Sequence, residues 1–260
     1  GSGWTHQPLR TDSPRALVCG ARQAGVRVLF CAAIGGKGHL AYMTKPILTV
    51  DDLLASARQF AEQESAHADA ALFGVTDGKA LGTYLEHKFR HLLQETYSFQ
   101  GGNSAKGIDF PDLDVDMKVT SIRQPQSSCP FKSARQKIWG LGYSLLVFVY
   151  DKTDEQVTQT GKLNILHIVF VDKAYTGDFQ TTTGIQRILE NDGNRDDLLA
   201  FMQERLLPVD QIEAEKIADE LLQSPPQTGY LTISNALQWR LQYSRVIEKA
   251  GAVSGVHRVR

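Results

Sequence analysis

Two apolar runs, Tyr143–Tyr150 and Leu163–Val171, limit what this chain can fold into more than any other feature. Both are continuous rather than alternating. A strand that is apolar on both sides must be covered on both faces, the condition of a central strand in an α/β sheet. The flanking segments supply the covers. Asp51–Ala71 carries Leu53, Leu54, Ala57, Phe60 and Ala61 on one helical stripe, and Thr49-Val50-Asp51-Asp52 reads as its cap and acidic first turn. After a turn at Gly74–Gly78, Leu81, Leu85, Phe89, Leu92 and Leu93 keep helical spacing to about Tyr97. Phe131, Ala134, Ile138 and Leu141 mark another helix, ended by Gly140 and Gly142. With Ile108–Phe110 and Leu113–Ser121 read as paired strands, the order is helix, strand, strand, helix, strand, strand. That order predicts an α/β fold, a mixed β-sheet flanked by helices.

From Thr176 onward the pattern turns helical, over Gly184–Asn191, Arg195–Leu206, Asp210–Gln223 and Ile233–Ala250. Residues 43–175 therefore read as the core and 176–260 as a helical C-terminal region. Residues 1–42 read as an extension ahead of a natural start at Met43. Gly1-Ser2-Gly3 looks like a cloning scar, and Arg10–Arg27 shows no periodicity. Arg27 interrupts the apolar run that a signal peptide would need. Gly35-Gly36-Lys37-Gly38 lacks the spaced first glycine and the Ser/Thr of a P-loop.

The net charge of −1 over 260 residues excludes a global basic field, and with it indiscriminate nucleic-acid binding. A local basic groove stays open. Cys19, Cys31 and Cys129 have no metal-ligand spacing, so a reducing cytoplasm is the simplest setting. No run approaches the length of a membrane span.

The chemistry concentrates in Asp109–Lys118, which holds four carboxylates and a lysine. Val115, Met117 and Val119 alternate with Asp114, Asp116, Lys118 and Thr120, a period of two. Asp116 and Lys118 therefore project from one face of a strand. They could form a solvated ion pair worth up to about 1 kcal/mol. With Asp109 closing the site, they could also hold a divalent cation and a water. Asp112 and Asp114 read as turn residues. Glu86 has Arg90 four positions on, so it is either half of an ordinary helix-surface pair or a carboxylate of the same site.

Asp109…Asp116-x-Lys118 resembles the D…(D/E)-x-K signature of the PD-(D/E)xK nucleases. The block Asp109-Phe110-Pro111-Asp112-Leu113-Asp114-Val115-Asp116-Met117-Lys118 is most similar to that of the MutH/Sau3AI-like branch, Asp-Phe-x-x-Leu-x-Val-Glu-x-Lys, with Asp116 in place of its Glu. Upstream, Lys79-Ala80-Leu81-Gly82-Thr83-Tyr84-Leu85-Glu86 is similar to the helix of that branch. The resemblance covers roughly residues 79–150. It implies a restriction-endonuclease-like fold and a Mg2+-dependent type II endonuclease acting on double-stranded DNA, with a homodimer expected for a palindromic site. Asp109, Asp116 and the backbone carbonyl of Met117 would hold the metal. Asp109, Asp116, Lys118 and Glu86 would be catalytic. A nicking or repair endonuclease, a non-catalytic DNA-binding protein of the same fold and an RNA-directed nuclease are the alternatives.

Arg123, Gln124, Gln126, Ser127 and Ser128 follow this strand, and Lys132, Arg135 and Lys137 crowd the next helix. Arg and Gln match guanine and adenine edges, and Ser and Lys suit phosphates, so these residues are the expected DNA contacts. Taken singly, each also suits a solvated surface. Asp210–Gln223 and, after a Pro-Pro turn, Leu231–Arg245 form a second candidate reader, as two helices of a winged or helix-turn-helix arrangement or as a helical cap on the core. His257-Arg258-Val259-Arg260 reads as a mobile basic tail.

Overall fold

A computed structural model describes Gly1 and residues 45–102, 107–129, 133–234 and 239–260. The chain divides between Met43 and Thr44, and all that follows concerns the second unit. The expected extension of residues 1–42 lies, Gly1 apart, outside the described residues.

The elements in chain order are α1 (Val50–Ala66), β1 (Ala68–Asp69), α2 (Gly78–Thr96), β2 (Val115–Ser121), β3 (Gln126–Ser128), α3 (Ala134–Trp139), β4 (Ser144–Glu155) and β5 (Thr160–Val171). There follow α4 (Phe179–Glu190), α5 (Arg195–Glu204), α6 (Gln211–Gln223), β6 (Thr232–Ser234), β7 (Arg240–Gln242), α7 (Ser244–Lys249) and β8 (Val256–Arg258). The principal sheet runs β1-β5-β4-β2, and β8 also pairs with β5. β2 lies parallel to β4, and β4 antiparallel to β5. This is the expected mixed sheet flanked by helices. The two apolar runs are β4 and β5, at its centre. A smaller antiparallel sheet runs β3-β7-β6. Among the described residues no helix is long and apolar enough to cross a membrane.

The two faces of β4 enter different cores. Leu146, Phe148 and Tyr150 pack under α1 and α2, whereas Leu145, Val147 and Val149 join Leu231, Ile233, Leu241 and Tyr243 around the small sheet. Three rings, Phe60 of α1, Phe89 of α2 and Phe148 of β4, fasten the helices to the sheet with centroids 5.2–6.2 Å apart. α1 is started by Thr49, whose side chain accepts from the Asp52 N–H while Asp52 bonds back to the Thr49 N–H. A third core joins α3 to α4, α5 and α6.

Three expectations fail for the same reason, long-range strand pairing. α1 stops at Ala66 rather than Ala71, because Ala68 and Asp69 pair with Lys162 and Gly161 of β5. Ile233–Ala250 is not one helix: it holds β6 and β7 before the six-residue α7, so a helix-turn-helix reader is ruled out. The C-terminal residues are no mobile tail, since β8 pairs with Val169–Val171 and Val259 is buried. The region from 176 to 223 is helical as expected. Ile108–Phe110 makes no strand of its own; Phe110 forms a single bridge to Val115.

Phe148→Ala should cost about 3–5 kcal/mol, the range for emptying a buried aromatic position. Urea unfolding of the variant and the parent chain measures it.

Candidate active site

The site forms where β2, as an edge strand, meets the side of α2. Phe110 and Val115 exchange backbone hydrogen bonds of 2.9 and 3.2 Å, closing the turn Pro111–Asp114. Asp114 adopts a left-handed conformation there with φ of 50°, which Asp tolerates better than most residues. Asp112 accepts a 3.0 Å bond from the Gln100 N–H. These two carboxylates serve the turn. The turn folds Asp109 back beside β2, where its Oδ2 accepts from the Met117 N–H at 3.1 Å.

Asp109, Asp116, Met117, Lys118 and Glu86 consequently line one open cleft of about 340 Å³, together with Arg90. Lys118 Nζ stands 2.6 Å from Asp116 Oδ2, and the Asp116 side chain is only 2% exposed. Burial raises the Asp116 carboxyl to about 6, against the opposing pull of Lys118, and Asp109 pushes in the same direction as burial. Glu86 is raised too, first by burial and then by Asp109, with Lys118 and Arg90 opposing. The cleft thus crowds three carboxylates against two cations in a low-dielectric setting. Such a cluster is poor at stabilising a fold, because desolvation offsets the attraction of each pair. Perturbed groups of this kind gather at working sites.

Arg90 pairs with Asp109, Nη2 to Oδ1 at 2.6 Å, rather than with Glu86. The sequence reading placed Arg90 only as a possible partner of Glu86. Its position one helical turn after Glu86, on the same face of α2, was the available signal. Tyr143 and Tyr243 were missed altogether. Burial raises both phenols, and the nearby Asp116 charge raises them further, so both stay neutral beside the carboxylate.

The expected DNA contacts separate into groups. Arg123, Gln124 and Gln126 line a second cavity, about 560 Å³, at the far end of β2 with Lys79, Lys152 and Arg240. Arg123 is thus not gathered with the carboxylates: it lies in the turn after β2, whose last residue, Ser121, is already about 16 Å past Asp116 at roughly 3.3 Å per residue. Its side chain is 77% exposed, with Nε 3.5 Å from Asp151. Ser128 is exposed on β3. Three expectations change. Ser127 turns inward, its Oγ 2.6 Å from the Tyr243 hydroxyl. Arg135 clamps Glu220 with two 2.8 Å bonds and also binds Glu213, fastening α3 to α6. Lys137 is buried, and loss of solvent lowers its ammonium despite the charge of Asp178. Lys132 lies outside the described residues.

A family model described as type II restriction enzyme NspV matches residues 47–258. The protein described as type II restriction enzyme NspV from Nostoc sp. (strain ATCC 29411 / PCC 7524) is 64% identical over 210 residues, which cover 81% of this chain and 96% of that protein. No solved structure matches the chain.

Arg90→Ala should release Asp109 from its orienting guanidinium and weaken divalent-cation binding about 10–100-fold, the usual cost of losing a group that orients a ligand. Calorimetric titration with Mg2+ reads the change.

Proposed function

Because the chain belongs to the type II restriction enzyme NspV family, we propose that it is a sequence-specific endonuclease that hydrolyses phosphodiester bonds in double-stranded DNA, with Mg2+ as cofactor. The observation that carries this reading is the convergence of Asp109, Asp116, Lys118 and Glu86 in one open cleft. The arrangement supports membership of the PD-(D/E)xK superfamily. The sequence block Asp109–Lys118 supports the MutH/Sau3AI-like branch within it.

The donors fit a hard cation. Asp116 Oδ2 is buried, and although Lys118 stands close it makes no well-directed hydrogen bond. Such an orphaned carboxylate oxygen has a lone pair to offer. Asp109 faces it, held by Arg90 and the Met117 N–H, and each of its oxygens keeps further acceptor capacity. Two carboxylates, a backbone carbonyl such as that of Met117, and waters match Mg2+, which keeps much of its hydration shell. Bound there, the ion supplies Lewis-acid polarisation of the phosphate and a more acidic water.

The chain's own groups do the rest. Lys118 Nζ orients the attacking water and offsets the charge that grows on the phosphate oxygens. Glu86, whose carboxyl is raised above its ordinary value by burial, receives or positions a proton of that water at its carboxylate. Arg90 keeps Asp109 in place. A palindromic site would be served by a symmetric pair of chains, one cleft for each strand. Three cysteines without metal-ligand spacing support a reducing cytoplasm as the working compartment. We also read residues 1–42 as dispensable, supported by a family match that begins at residue 47.

Plasmid DNA incubated with the chain and Mg2+ should yield discrete fragments with one end sequence, which rules out the non-catalytic alternative. Asp109→Ala and Asp116→Ala should each abolish the cuts and the calorimetric Mg2+ signal. Lys118→Met should leave metal binding in place and slow cleavage about 10²–10⁴-fold. A chain starting at Met43 should match the full chain in unfolding temperature and cleavage rate.

A further inference from the structure

The small sheet unites two segments that the sequence kept apart. In its register Gln126 faces Gln242, which faces Thr232, and Ser128 faces Arg240, which faces Ser234. Directly opposed residues share a face, so these six form two cross-strand rows. The residues between them, Ser127, Leu241 and Ile233, point the other way: Leu241 and Ile233 are buried in the core, and Ser127 is bonded to buried Tyr243. One face of the sheet is therefore anchored, and the other presents amides, hydroxyls and a guanidinium.

This composition is unusual for a surface that needs only to be solvated. It holds no carboxylate and no lysine, but does hold the side chains that make directed pairs with bases. Gln pairs with adenine N6 and N7, Arg with guanine O6 and N7, and Ser or Thr with either. The rows stand about 7 Å apart, two residues at roughly 3.4 Å each, close to two base-pair steps at about 3.4 Å per step. Antiparallel strands are an established shape for entering the major groove.

The face is also tied to the strand that lines the cleft. Thr120 sits on β2 two residues after Lys118, and its hydroxyl accepts a 2.9 Å bond from the Gln126 N–H. β3 is thereby tied to the strand that carries Asp116 and Lys118. Gln126 and Arg240 border the 560 Å³ cavity that holds Lys79 and Arg123. On the opposite side Thr232, Ser234 and Gln242 border a cavity of about 300 Å³ that holds Arg205. Each cavity also holds one carboxylate, Asp154 in the first and Asp178 in the second, but cations outnumber it in both, so positive charge flanks a neutral, hydrogen-bonding strip on both sides, the layout expected for phosphates beside base edges.

We propose that the outer face of the β3-β7-β6 sheet reads base edges of duplex DNA, with Arg240, Gln242 and Gln126 as the specificity-determining residues. The proposal rests on the reading of the chain as a site-specific endonuclease and adds to it where the sequence is read.

The test begins with the wild-type chain. Sequencing the ends of plasmid it cuts fixes the recognised sequence; if it cuts no plasmid, the endonuclease reading itself fails and this proposal with it. Values of kcat/KM are then measured on the recognised duplex and on every duplex with one base pair changed, at two salt concentrations. Arg240→Lys, which keeps the charge but loses the fork, and Gln242→Ala should each lower the rate on the recognised duplex roughly 5- to 150-fold. Each should lose discrimination at its own base pair while cutting the duplex altered there about as fast as the wild type does. Unchanged discrimination in both variants, or an equal loss on all duplexes with a shallower salt dependence, overturns the proposal; the second pattern marks phosphate contact. Unfolding midpoints are compared throughout, and if Arg240→Lys is destabilised, Gln242→Ala and Gln126→Ala decide by the same criterion.

Discussion

The site depends on the parallel register of β2 on β4. Seven consecutive pairs, from Val115 opposite Ser144 to Ser121 opposite Tyr150, fix which side chains of β2 face which core. Val115 and Met117 are held against α1 and α2. Asp116, Lys118 and Thr120 are thereby turned to the side of Tyr143 and Tyr243. A slip of one residue would exchange the two sets, driving Asp116 and Lys118 among the phenylalanines and taking Val115 and Met117 out of their core. Such a slip is opposed by the whole apolar surface of both cores, at about 25 cal/mol per Å². The hydrophobic pattern therefore holds in place a carboxylate and an ammonium that contribute little to stability themselves.

What could be read from the sequence follows from how local each signal is. β4 and β5 are visible because each is apolar over its own length. α1 and α2 are visible because their stripes have helical period, and Asp116 and Lys118 because strand alternation spans only a few residues. The failures all have distant partners. Tyr243, which turns Ser127 inward, lies 116 positions away. Glu213 and Glu220, which capture Arg135, lie 78 and 85 positions away. β6 and β7 are three residues each, too short to show a period, and their apolar centres Ile233 and Leu241 lie eight apart, a spacing that a helix shares. Arg90 is an intermediate case: its helix face was legible, but the turn that returns Asp109 to meet it was not.

The small sheet changes how the two candidate readers of the sequence relate to each other. As separate loop and helix segments, Gln126–Ser128 and Arg240–Gln242 would need independent routes to bound DNA. As neighbouring strands they form one surface, fixed to β2 through Thr120 and to the core through Ser127, Leu241 and Ile233. That matters for precision, since side chains on strands braced from behind hold their geometry better than those on loops.

Electrostatics point the same way. Several cations in and beside the two clefts along β2 already have carboxylate partners: Arg90 with Asp109, Lys118 with Asp116, Arg123 with Asp151 and Lys152 with Asp154. A phosphate approaching any of these must compete with an internal carboxylate, so it gains less than it would from an unpaired cation. The sequence-independent part of binding, which comes from phosphate neutralisation and counterion release, is correspondingly reduced. A chain of net charge −1 built this way gives up affinity for arbitrary DNA. Neutral donors and acceptors such as those of Gln126, Gln242 and Thr232 are then left to supply the difference between one sequence and another, because their pairing energy is realised only when the base opposite has the matching edge.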